Sequence, residues 1–107
     1  MVGNLYTRSE SGQVSVIALT LPDILDSSEF DELNSDLLGM IDQAPHRNWL
    51  LDLSASHYMG SAMLGLMVNL RQRIKAGGGK ITLTGLGPKL MDIFRATSLV
   101  RLFTIVK

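Results

Sequence analysis

Two hydrophobic periods alternate along this chain. From Gln13 to Leu19 (Gln-Val-Ser-Val-Ile-Ala-Leu), β-branched residues in partial alternation predict a strand, and Leu5 to Arg8 predicts a weaker one. The Ser9-Glu10-Ser11-Gly12 cluster between them reads as a hairpin turn. The period then changes. Phe30, Leu33, Leu37, Leu38 and Ile41 fall at helical spacing and predict a helix over 29–43. Asp26 and Ser28 are candidate N-caps, each with an acid three residues on, and Pro45 follows the helix. The outer face of this helix carries Asp31, Glu32, Ser35, Asp36 and Asp42.

The apolar run Asn48 to Leu53 predicts a buried strand, and a hydroxyl-rich loop follows from Ser54 to Gly60. Met63, Leu66, Met67, Leu70 and Ile74 predict a second helix over 61–76. Arg71, Arg73 and Lys75 crowd its last turns, where positive charge suits the helix dipole, and Gly77-Gly78-Gly79 stops it. Lys80 to Thr84 is a fourth strand. Pro88 takes a first-helical position, Lys89 to Ala96 forms a short helix, and Leu102 to Val106 is a fifth strand. The order β-β-α-β-α-β-α-β predicts an α/β fold. A single domain over 1–107 would hold a mixed, mostly parallel sheet of about five strands with helices packed on it. In such sheets, partners and ligands meet the loops leaving the strand C-termini.

Composition narrows the class. The chain has 107 residues, 46% of them hydrophobic, and no cysteine. That content excludes disorder, and a cysteine-free chain excludes a disulfide or cysteine-metal scaffold. Residues 1–13 lack a basic n-region followed by an apolar run. No stretch approaches the ~20 apolar residues of a membrane span, so a soluble cytoplasmic protein is expected. The formal net charge of zero conceals an asymmetry. Residues 1–52 carry nine acids against Arg8 and Arg47, whereas residues 53–107 carry eight bases against Asp92 alone. A neutral but polar molecule argues against a nucleic-acid partner and suits electrostatic pairing with a protein. Alternatively, the two halves neutralise each other by packing together.

Most candidate chemistry falls to geometry. Gly77-Gly78-Gly79-Lys80 runs from helix to strand, the wrong direction for a phosphate loop. Gly85-Leu86-Gly87 runs the right way, but a lone G-x-G is explained by a tight turn, so nucleotide binding or an enzyme ranks last. Asp52, His57 and Ser61 invite a triad, yet Met59-Gly60-Ser61-Ala62-Met63 is not a nucleophile elbow. His46 and His57 lack metal-ligand spacing. No catalytic, cofactor or metal residue is therefore assigned. Ser61 remains, at or near the start of the second helix. It either caps that helix or accepts a phosphate on the positive end of the helix dipole.

The chain resembles the STAS domain family, named for sulfate transporters and anti-sigma factor antagonists. Leu50-Leu51-Asp52-Leu53 followed by Gly60-Ser61-Ala62-Met63-Leu64-Gly65 resembles the antagonists' apolar strand, loop and Asp-Ser-Ser/Thr-Gly-Leu-Gly helix opening. Leu25 to Phe30, Ala76 to Leu83 and Leu90 to Leu99 are similar in order and spacing. Gly60, Ala62 and Met63 replace the motif's Asp, second hydroxyl and Gly. The resemblance implies a non-enzymatic partner switch. The protein would bind an anti-sigma factor or serine kinase, Ser61 would be the phosphorylated serine, and a phosphatase would restore it. Ser54, Ser56 and Tyr58 are alternative hydroxyls. The expected partner surface is Ser56, His57, Tyr58, Met59, Gly60, Ser61, Ala62, Met63, Leu64 and Arg71. Met59 and Met63 would be its exposed pair, while the other stripe residues are core. A second reading is a divergent STAS subunit of a larger assembly, such as a lipid-transport complex or sensory scaffold, without a phosphoswitch. Homo-oligomers are compatible with either reading.

Overall fold

A computed structural model describes residues 5–106. Its elements are β1 (Tyr6–Ser11), β2 (Val14–Leu19), α1 (Ser27–Gln43), β3 (Asn48–Asp52), α2 (Ser61–Ala76), β4 (Lys80–Thr84), α3 (Pro88–Ala96) and β5 (Thr104–Val106). The strands form one sheet in the order β1-β2-β3-β4-β5. The β1–β2 hairpin is antiparallel, and every later pairing is parallel. Each parallel connection carries a helix and steps one strand in the same direction. Right-handed crossovers then place all three helices on one face.

The burial pattern agrees. Ser15, Ile17 and Leu19 of β2 are buried, while Val14, Val16 and Ala18 between them are half-buried. Ile17 stands opposite Leu51, and Leu51 opposite Leu83, so the buried positions form a row across three strands. Leu33, Leu37 and Ile41 of α1 cover this row with Leu66, Met67, Leu70 and Ile74 of α2 and Leu90 and Phe94 of α3.

Boundaries shift where local contacts overrule periodicity. α1 starts at Ser27, two residues before the expected start at Glu29, because Asp26 caps it. The Glu29 N–H donates to Asp26 Oδ1 at 2.8 Å, and the Asp26 N–H donates back to Glu29 Oε1 at 3.3 Å. β1 runs on to Ser11, so the turn shrinks to Gly12 and Gln13, with Gly12 at φ 61°. β5 is shorter than expected. Leu99–Arg101 forms a 3₁₀ turn, and Phe103 leaves the sheet edge to meet Phe94 edge-on, ring centroids 5.9 Å apart.

The end of the sheet opposite the strand C-termini is pinned by polar contacts. Arg47 Nε donates to the buried Ser15 Oγ (2.7 Å), which donates to Glu10 Oε1 (2.9 Å). Arg8 stacks over Trp49 at 5.2 Å. Both contacts tie the hairpin to β3. The glycine run is a structural stop, since a Cβ on Gly79 would strike the carbonyl oxygens of Pro45 and Arg47. Across the α1–α2 seam Arg73 pairs with Asp42, so the oppositely charged halves do meet there.

Two outcomes are expected. Gly79→Ala has no room to relax against backbone and should cost about 1–3 kcal/mol in chemical denaturation. The Ser15 hydrogen bond, aided by Arg8 and Arg47 and opposed by partial desolvation, holds the Glu10 carboxyl below its ordinary value. Its contribution is complete above the unfolded carboxylate pKa and disappears as pH falls through the lower folded one. Glu10→Gln should therefore flatten the acid limb of a stability-versus-pH curve.

Candidate partner-binding site

Three loops leave the C-terminal ends of the parallel strands: 20–26 after β2, 53–60 after β3 and 85–87 after β4. Ser56 joins the first two. It is only 1% exposed; its Oγ accepts the Leu21 N–H (3.1 Å) and donates to the Leu19 carbonyl (2.8 Å). Gly85, at φ 80°, joins the third. A Cβ there would lie 2.8 Å from the Ser54 nitrogen and 2.9 Å from Asp52 Oδ1. The G-x-G segment therefore serves loop packing, and Asp52 Oδ1 accepts the Ser54 N–H at 3.0 Å. Among the described residues no hydrogen bond links Asp52, His57 and Ser61 into a triad. His46 and His57 lie at opposite ends of the sheet.

Ser61 is the first residue of α2, not its cap. The N-cap is Gly60 (φ −80°, ψ 177°), which has no side chain to offer. The Leu64 N–H closes the first turn on the Gly60 carbonyl at 3.0 Å. The N–H groups of Ser61, Ala62 and Met63 thus have no acceptor within the helix, and the exposed Ser61 hydroxyl stands beside them. This replaces the capping role expected for Ser61.

A cavity of about 250 Å³ opens next to it. Leu21, Leu25 and Phe30 form one wall, Tyr58, Met59 and Met63 the other, with Asp23 and Ile24 at the rim. Ile24 is 86% exposed and Tyr58 39%, with the Lys89 ammonium of α3 5.9 Å from the Tyr58 ring. The expected surface therefore divides. His57, Tyr58, Ser61 and Ala62 are exposed, and Gly60 and Leu64 are half-buried. Ser56 is a structural tie rather than a contact residue. Met59 and Met63, expected to be exposed, are buried because they plug the space between the two loops and line the cavity from inside. Arg71 lies ~15 Å along the helix from Ser61, and its Nε donates to the Leu102 carbonyl at 2.5 Å, so it does not belong to this loop surface. Asp23, Ile24 and Lys89 were not anticipated. The signal for Ile24 was an apolar cluster, Leu21 to Leu25, in a segment with no helical or strand period.

The STAS domain family model matches residues 9–107. The chain belongs to the STAS domain family. Solved STAS structures share its fold. An anti-sigma-factor antagonist domain protein from Planctomyces limnophilus superposes with a TM-score of 0.80 at 24% identity, covering 94% of this chain and 87% of that one. The Bacillus cell fate determinant SpoIIAA, in its phosphorylated form, gives 0.70 at 16% identity, with coverage of 95% and 91%. A variant of RsbS from Moorella thermoacetica gives 0.75 at 18% identity, with coverage of 94% and 85%. Among the described residues of this STAS domain, no helix is long and apolar enough to cross a membrane.

Replacing Ser56 with alanine leaves the Leu21 N–H and the Leu19 carbonyl buried without their partner. Ser56→Ala should cost about 1–3 kcal/mol by chemical denaturation, a loss that a surface contact residue would not produce.

Proposed function

We propose that this STAS domain is a protein-binding regulator of the anti-sigma factor antagonist type. It engages an anti-sigma factor or serine kinase through the head of α2, and phosphorylation of Ser61 controls the complex. The observation that carries this reading is the position of Ser61, exposed on the first turn of α2 beside an open apolar cavity. A phosphate there would be met by unpaired N–H groups and the positive end of the helix dipole. It would add about −1.5 to −2 charges at the edge of an apolar contact, opposing a partner that buries the cavity. That SpoIIAA was solved in phosphorylated and unphosphorylated forms supports a covalent switch on this fold. No catalytic step is assigned: the domain works by binding, in the cytoplasm, with the kinase and an opposing phosphatase as its partners.

One observation favours the second reading, a STAS subunit held in a larger assembly. Gly60 and Ala62 flank Ser61 where the antagonists' motif has an acid and a hydroxyl, so an acidic cue for a kinase is missing.

The test is incubation with a serine kinase of the anti-sigma type from the same organism, read by intact mass. Wild type should gain one phosphate and Ser61→Ala none. Ser61→Glu should bind the unphosphorylated protein's partner at least about tenfold more weakly. A wild-type protein that stays unmodified yet co-purifies with a multisubunit complex would replace the switch by the assembly reading.

A further inference from the structure

A second concave surface lies at the other end of α2. A cavity of about 450 Å³ is bounded by Arg71, Ile74 and Lys75 of α2, by Lys80 and Ile81 at the start of β4, and by Leu102 before β5. Its lining includes three cations and no carboxylate. Among the described residues none of the three forms an ion pair, whereas the neighbouring Arg73 is already taken by Asp42. Arg71 and Lys75 are four residues apart on one helix face, so their charges repel. The last turn of α2 accounts for Lys75 alone, through the helix dipole. It does not account for Lys80, or for Arg71 a turn further back.

Two features make this more than a cationic patch. Arg71 is half-buried and anchored: its Nε donates to the Leu102 carbonyl, which leaves its other guanidinium nitrogens available at a fixed place. The sheet also has a notch here. β5 first pairs at Thr104, opposite Thr82, so Lys80 and Ile81 have no neighbouring strand on that side. The cavity therefore combines an open strand edge, one exposed apolar side chain (Leu102, 39% exposed) above the buried Ile74 and Ile81, and uncompensated positive charge.

We infer that this notch is a docking site for an extended acidic segment of a partner protein. The segment's carboxylates pair with Arg71, Lys75 and Lys80, and an apolar side chain rests on Leu102. Charge complementarity and the unpaired strand edge select an extended peptide over a compact anion. The site is independent of Ser61, which lies a helix length away, and it stands whether or not the phosphoswitch does.

The test is amide chemical-shift mapping of the isotope-labelled protein with a short synthetic peptide alternating glutamate and valine. The expected result is shifts confined to 71–82 and 102–104, weakened at ~0.5 M salt where screening is strong. Binding should fall roughly tenfold or more in Lys80→Glu, and also in the double variant Lys75→Gln with Lys80→Gln, which does not oppose the helix dipole. Three results would overturn the inference: no shifts in this region, equal shifts from the same peptide with lysine in place of glutamate, or saturation of the same amides by inorganic phosphate that abolishes peptide binding. Wild-type affinity in Ser61→Glu is expected, which separates this site from the phosphoswitch.

Discussion

Everything in this molecule hangs from a sheet that is covered on one side only. Successive parallel strands add in one direction, right-handed crossovers carry each helix to the same face, and Ile17, Leu51 and Leu83 line up beneath them. Among the described residues the other face carries none that is buried: Val16 and Leu50 are half-buried, and Asn48 and Lys80 are exposed. With a single core layer, each helix must fill its own part of it. The α2 stripe therefore spans the helix from Met63 to Ile74, and both ends of that helix end up beside a surface concavity.

The same parallel arrangement gathers the strand C-termini, and with them the loops that make the candidate site. Those loops are held together by polar contacts as well as by the buried Met59 and Met63 between them. One buried hydroxyl on Ser56 satisfies a donor and an acceptor of the β2 loop, and the close approach of Gly85 locks the third loop against Asp52 and Ser54. This leaves Ser61 exposed on a rigid frame. Under the proposed function, a modification there would act on a surface already in place, and the apolar cavity beside it would offer a partner an anchor.

Charge follows the fold in a way that net charge hides. The acids cluster on the outer face of α1 and the bases begin on α2, yet the two helices neutralise each other at one ion pair, Arg73 with Asp42. The remaining cations of α2 and β4 converge on the notch beside the short β5. The shortness of β5 follows from packing. Phe103 is drawn under α3 by Phe94, which removes two expected residues from the strand.

Periodicity, with the turn, cap and stop residues between the periodic segments, determined the element order, the mixed parallel sheet, the inward stripes of α1 and α2 and the placement of Ser61 at the head of a helix. Each of these rests on spacing along the chain, and spacing survives whatever the chain later touches. The STAS resemblance was legible for the same reason, since order and loop lengths carry it. Only the tertiary structure decided that Gly60 and not Ser61 caps α2, that Ser56 is a tie, that Met59 and Met63 are buried, and that Arg71 belongs to a different surface. Those outcomes depend on which loop meets which across the sheet. A hydroxyl, a methionine or an arginine in a polar loop or at a helix end carries no periodic mark of the neighbour it will find.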